Sequence, residues 1–184
     1  MKVTFMMIET DKLIIRRFHG EDWEDLYAYL SDPGVVRFEP YAPFNAEQCK
    51  QEAHRRAEDE DFWAVCLKEN GRLIGNLYFS RQAYDDIWEL GFVFNAAYQG
   101  KGYAMESARA LLDRAFWEWG AQRIIAQCNP ENEKSWRLLE RLGMQRERHL
   151  IQNVSFHTDA SGNPIYVDTY EYGLLRGEWE QSAQ

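Results

Sequence analysis

Gln99-Gly100-Lys101-Gly102-Tyr103-Ala104 follows an apolar run, Trp88–Phe94, and precedes a long stretch with helical periodicity. A strand that ends in a glycine-rich turn and then opens a helix aims several backbone N–H groups at one point, with the positive end of the helix dipole behind them. Glycine removes the Cβ that would keep a ligand at a distance. The arrangement suits a pyrophosphate. Two common phosphate loops do not fit it. A P-loop has wider glycine spacing and ends in Lys followed by Ser or Thr, whereas Lys101 lies between two glycines and Tyr103 follows. A Rossmann turn has a third small residue where Met105 stands, in a βαβ unit near the chain start. On this stretch alone, a turn that only caps the helix is the other reading.

A second block lies downstream. A predicted strand, Arg123–Cys128, leads into Asn129-Pro130-Glu131-Asn132-Glu133-Lys134-Ser135, then Trp136–Leu142, then Gly143-Met144. Gln99, Gly102 and Ala104 meet the pattern [Gln/Arg]-x-x-Gly-x-[Gly/Ala], which is similar to the acetyl-CoA loop of the GNAT superfamily of N-acetyltransferases. The second block resembles the Asn-x-x-Ser helix and "LERLGM" ending of the RimJ/RimL-like branch. The resemblance runs from Thr10–Arg16 to Asp168–Trp179, nearly the whole chain.

The other elements read outward from there. Leu13–Phe18 alternates as a strand. Trp23, Leu26, Tyr27 and Leu30 share one helical face, and Ser31-Asp32-Pro33-Gly34 stops that helix. Asn45 is an N-cap for a polar helix to about Glu60. Phe62–Leu67 and Leu73–Ser80 are strands, joined through Asn70-Gly71, a tight-hairpin dipeptide. Ile87–Phe94 is a strand and Gly102–Trp119 the central helix, apolar along Ala104, Ala108, Leu111, Leu112, Ala115, Phe116 and Trp119. Asn132–Leu142 is helical, and strands near Met144–Phe156 and Ile165–Leu175 close the chain around the turn Asp159–Pro164. A single α/β domain, 1–184, is expected, with a mixed, largely antiparallel sheet of about seven strands. The resemblance implies that this sheet splays at the acetyl-CoA site.

Composition narrows the function. A length of 184 residues supports one real core. The net charge of −9 leaves no basic stripe for phosphate backbones, so no nucleic acid is expected. Cys49, Cys66 and Cys128 are odd in number and far apart, and His19, His54, His149 and His157 lack ligand spacing. Neither disulfide nor metal is expected, and a reducing cytoplasm is the default. The opening MKVTFMMIE is too short and mixed for a signal peptide or membrane span.

The resemblance also implies a site. Acetyl-CoA would lay its pantetheine along the backbone of Phe92, Val93 and Phe94, whose side chains read as strand core. Its phosphates would sit on N–H groups of Gly100, Lys101, Gly102, Tyr103, Ala104 and Met105, after Gln99. An amine would attack the thioester directly in a ternary complex. Glu89, a carboxylate on an otherwise apolar strand, is the candidate base, with desolvation raising its pKa. A solvent-facing residue or an ion-pair partner is the alternative. The oxyanion would be met by N–H groups near Val93 and Phe94. Many members of the superfamily carry a proton-donating Tyr where Leu139 stands. Ser135 matches the Ser of RimJ/RimL-like members near the CoA sulfur, unless it only bonds back to the main chain. Asn132 is an N-cap on spacing and, by resemblance, a pantetheine ligand. Asn129 reads as a strand end, with a CoA contact as the alternative. Arg37, Phe38, Tyr41, Tyr78, His149, Tyr166 and Tyr170 are nominal acceptor-side candidates. The expected acceptor is a primary amine, whether a protein N-terminus or a small-molecule amine such as a polyamine, an amino acid or an antibiotic, and the protein is expected to be a monomer or homodimer. The rival is a non-catalytic acyl-CoA sensor or scaffold. A longer-chain acyltransferase would be disfavoured by Phe92, Phe94 and Trp136 if they point inward.

Overall fold

The computed structural model describes residues 7–82 and 86–182. The strands are β1 (Ile8–Glu9), β2 (Leu13–Arg16), β3 (Phe62–Leu67), β4 (Leu73–Arg81), β5 (Ile87–Phe94), β6 (Arg123–Cys128), β7 (Gln145–Thr158) and β8 (Pro164–Leu175). They form one sheet in the order β1-β2-β3-β4-β5-β6-β8-β7, antiparallel except for β5 beside β6. The helices are α1 (Trp23–Leu30), α2 (Ala46–Glu58), α3 (Tyr103–Trp117), α4 (Glu133–Arg141) and α5 (Arg176–Ser182). The count is eight strands rather than about seven. The two-residue β1, too short to show a pattern, pairs Ile8 with Ile15. Residues 1–6, most of the opening segment judged by its composition, lie outside the described residues.

Two apolar clusters lie on opposite faces of the sheet. One joins Trp63, Leu77, Phe79, Leu90 and Phe94 to the buried stripe of α3, including Leu111, Leu112 and Phe116. The other joins Ala64, Cys66 and Val93 to Leu26, Tyr29 and Leu30 of α1 and to Cys49 and Ala53 of α2. Alternation along β5 therefore sends Leu90, Phe92 and Phe94 toward α3, and Glu89, Gly91 and Val93 toward α1 and α2. Gly75 makes this packing possible: a Cβ there would lie 2.4 Å from the Phe94 ring and 2.7 Å from the Val93 carbonyl oxygen.

Caps largely follow the residue chemistry. Asn45 Oδ1 accepts from Gln48 N at 2.9 Å, and Gln48 Oε1 accepts from Asn45 N at 2.8 Å, closing a capping box on α2. The β3–β4 turn differs from expectation. Gly71 N bonds Leu67 O at 2.8 Å, and only Gly71 has positive φ there (+73°). A two-residue Asn-Gly turn needs positive φ at both positions. The loop is longer, and Asn70 instead accepts from Arg72 N through its side chain at 3.0 Å. A final helix, α5, follows β8 and buries Trp179, whose indole N–H donates to Asp113 at 2.8 Å.

Candidate active site

β5 and β6 are in register only at Ile87–Arg123, Trp88–Ile124 and Glu89–Ile125. Beyond Glu89 they part, while β5 keeps its register with β4 to Phe94. Gln82 N bonds Ile87 O at 2.8 Å and Asn95 N bonds Ile74 O at 3.0 Å, so odd-numbered positions of β5 bond to β4. By alternation, Leu90, Phe92 and Phe94 turn their backbone groups to the opening. Val93 does not: its amide faces β4, so of the two positions expected to meet an oxyanion, Phe94 alone turns an amide to the cleft.

The glycine stretch closes one end of the opening. Gly102 is the N-cap of α3 with φ +88°, Gly100 has φ +73°, and open space surrounds the Cβ position of each. Gly102 supplies no side-chain cap, and the first backbone bond of α3 is Glu106 N to Gly102 O at 2.9 Å. The first-turn N–H groups are thus free of intrahelical partners, as at any helix start, with no side chain in the way. Tyr103, Ala104 and Met105 tuck their side chains against the core. Gln99 Nε2 donates to Phe94 O at 2.9 Å, while Gln99 Oε1 accepts from Lys134 Nζ at 2.9 Å. One carboxamide therefore ties the end of β5 to the start of α4, across the cleft. Lys101 stacks over Tyr98 at 5.3 Å.

Asn132 Oδ1 caps α4 through Ser135 N at 3.3 Å, leaving its amide N–H₂ for a ligand. Asn129 Oδ1 accepts from Glu131 N at 2.8 Å, the strand-ending turn expected of it. Ser135 lies beside the Cys128 thiol, which burial pushes up to about 11. Cys128 escaped the sequence reading, because contact between a strand end and the next helix has no local pattern. Leu139 is 1% exposed in the core, so no phenol replaces the missing Tyr there. Phe92, Phe94 and Trp136 pack against the α3-side cluster.

Glu89 is half-buried at the point where β5 leaves β6. Burial raises its pKa above the ordinary carboxylate value, and a 3.0 Å hydrogen bond from Gln82 Nε2 partly offsets this. It shares a sheet face with Tyr78, which lies opposite Gly91. Of the other acceptor-side candidates, Arg37 pairs with Glu131 at 3.0 Å. His149 bonds Asp168 at 2.7 Å beside Tyr170, and Tyr166 is exposed near the β7–β8 turn. Among the described residues no group of His, Cys, Asp and Glu could hold a metal, and no helix is long and apolar enough to cross a membrane.

A sheet parted between two parallel strands, with a glycine-rich helix start at one end of the opening and a half-buried carboxyl at its vertex, is the arrangement that the resemblance to acyl-CoA-dependent transferases implies. The acetyltransferase (GNAT) domain family matches residues 12–145, and the chain belongs to that family. It is 36% identical over 175 residues to the uncharacterized N-acetyltransferase YnaD of Bacillus subtilis, covering 95% of this chain and 99% of that protein. A Bacillus anthracis acetyltransferase structure of the GNAT family superposes with TM-score 0.85 at 34% identity, covering 94% of this chain and 99% of that one. The fold also matches a Vibrio cholerae spermidine N-acetyltransferase solved with CoA and spermine, with TM-score 0.75, 18% identity and coverage of 93% and 99%. The protein is an acetyl-CoA-dependent acyltransferase.

Proposed function

We propose that the chain, as one domain of the RimJ/RimL-like branch, moves the acetyl group of acetyl-CoA directly onto a primary amine. The observation that carries this reading is the open β5 edge, running from the Glu89 carboxyl to the cradle at Gly100–Met105. Acetyl-CoA lies along Phe92–Phe94 with its phosphates on the first turn of α3. The ammonium form of the acceptor loses a proton to Glu89, directly or through water. The amine nitrogen then attacks the thioester carbon, and the oxyanion takes a hydrogen bond from open-edge N–H groups such as that of Phe94. As the intermediate collapses, the C–S bond breaks, and the CoA thiolate takes up a proton. The products are an amide and free CoA. Ser135, beside Cys128, orients the sulfur. The free cysteines Cys49, Cys66 and Cys128 fit a reducing cytoplasm.

A thermal-unfolding scan with saturating acetyl-CoA tests cofactor binding without knowledge of the acceptor. Ligand at about a hundred times its Kd adds roughly 2.7 kcal/mol, or about 5–10 °C. No shift removes the reading. The second reading, an acyl-CoA sensor, is favoured by the Leu in place of Tyr at position 139. Glu89→Gln separates the two: loss of turnover with unchanged acetyl-CoA affinity supports catalysis.

A further inference from the structure

We propose that Glu39 binds a positive charge on the acceptor, so that amines carrying a second ammonium are preferred over monoamines. The inference rests on the acetyl-transfer reading and concerns the acceptor side of the same cleft. Two anchors fix the segment that carries Glu39. Arg37 Nη2 bonds Glu131 Oε2 at 3.0 Å, in the loop between β6 and α4. At the other end Tyr41 lies beside the Arg56 guanidinium. Arg56, only 2% exposed, donates to Asn76 Oδ1 of β4 at 3.0 Å and to Glu52 Oε1 at 2.7 Å. Since β5 lies between β4 and β6, residues 37–41 cross the open β5 edge on the α1/α2 side. Glu39 is the midpoint of that crossing, on the same side of the sheet as Glu89.

Its chemistry sets it apart from the arginine-paired carboxylates and groups it with Glu89, likewise half-buried without an ion-pair partner among the described residues. The half-buried carboxylates Asp22, Asp25 and Glu52 are each paired with an arginine. Glu39 has no ion-pair partner among the described residues. It meets the Tyr41 hydroxyl, while the Arg56 charge is already answered by Glu52. Burial pushes Glu39 up to about 7, with Arg56 and Tyr41 holding it back. A half-buried carboxylate without a cation is unfavourable, and an arriving ammonium removes that penalty. Glu89 and Glu39 then divide the work: one takes the proton, the other holds the distant charge.

Initial rates with n-butylamine and 1,4-diaminobutane isolate the second ammonium. At pH 8 the wild type should show a KM at least ten-fold lower for the diamine. Glu39→Gln should erase that gap by raising the diamine KM, with the acetyl-CoA KM unchanged and the acetyl-CoA thermal shift showing that the variant folds. Equal KM values in the wild type overturn the proposal, as does a gap that survives Glu39→Gln. Turnover of neither amine by protein that acetyl-CoA stabilises overturns it too. Failure of acetyl-CoA to stabilise the wild type instead removes the transferase reading beneath it.

Discussion

Gln82 Nε2 donates to Glu89 Oε2 at 3.0 Å, the one side-chain hydrogen bond to this carboxyl among the described residues. Burial raises the pKa of Glu89 and Gln82 lowers it, so, in the proposed role of Glu89 as base, the pair would set where the base becomes available. Gln82→Leu removes the lowering contribution. The acid limb of its kcat/KM profile should move to higher pH, with activity converging on wild type above the limb. Glu89→Gln should cost about 10²–10⁴-fold in kcat at all pH values. A Gln82→Leu profile that coincides with wild type argues that Glu89 does not govern the limb.

Glu39 makes a separate prediction for stability. Its folded pKa is about 7 against an ordinary 4.5, so its favourable contribution is full below about 4.5 and is lost as pH rises through about 7. Glu39→Gln escapes this loss. Relative to wild type, the variant should gain on the order of 3 kcal/mol between pH 4.5 and 8. Thermal melts at the two pH values check the sign, and a difference that does not grow with pH contradicts it.

Gly75→Ala tests how β4 supports the open strand. The new methyl meets the Phe94 ring and, less forgivingly, the Val93 backbone oxygen. Overpacking of this kind costs about 1–3 kcal/mol. Because the strain falls on Val93 and Phe94, chemical denaturation should show the stability loss and titration with acetyl-CoA a weaker affinity.

Gly102→Val probes the cradle. Open space surrounds the Cβ position, so clash with the protein is absent, but φ +88° is hostile to a β-branched residue. The expected result is an acetyl-CoA affinity at least ten-fold lower, with a smaller proportional loss in unfolding temperature. Calorimetric titration beside a melt distinguishes this from general destabilisation.

Order and type of most elements could be read from the chain because the local signals agree: apolar stripes for α1 and α3, the capping residue Asn45, the strand runs on either side of Asn70-Gly71. What escaped reading depends on neighbours distant in sequence. β1 has two residues and exists because Ile8 finds Ile15. The Asn-Gly turn lengthened because Gly71 N closes on Leu67 O instead of a two-residue register. Gln99 and Gly102 were visible as a motif, yet the reach of Gln99 to Lys134 was not, since 35 residues separate them. Glu39 carried no signal in its own segment. Its character comes from Arg56 and Tyr41 around it and from the anchoring of Arg37 to Glu131.

Three register pairs are all that stitch β5 to β6, so the sheet is two half-sheets, β1–β5 and β6–β8, with an unfinished seam. On the proposed binding mode, acetyl-CoA laid along Phe92–Phe94 would act as mortar in that seam. The seam is where the unliganded protein should breathe first, with amide exchange along β5 fastest at Phe92 and Phe94, whose N–H groups face the opening. Its lifetime among proteases should then lengthen as the surrounding acetyl-CoA concentration rises, so that the abundance of the catalyst would report its own substrate supply.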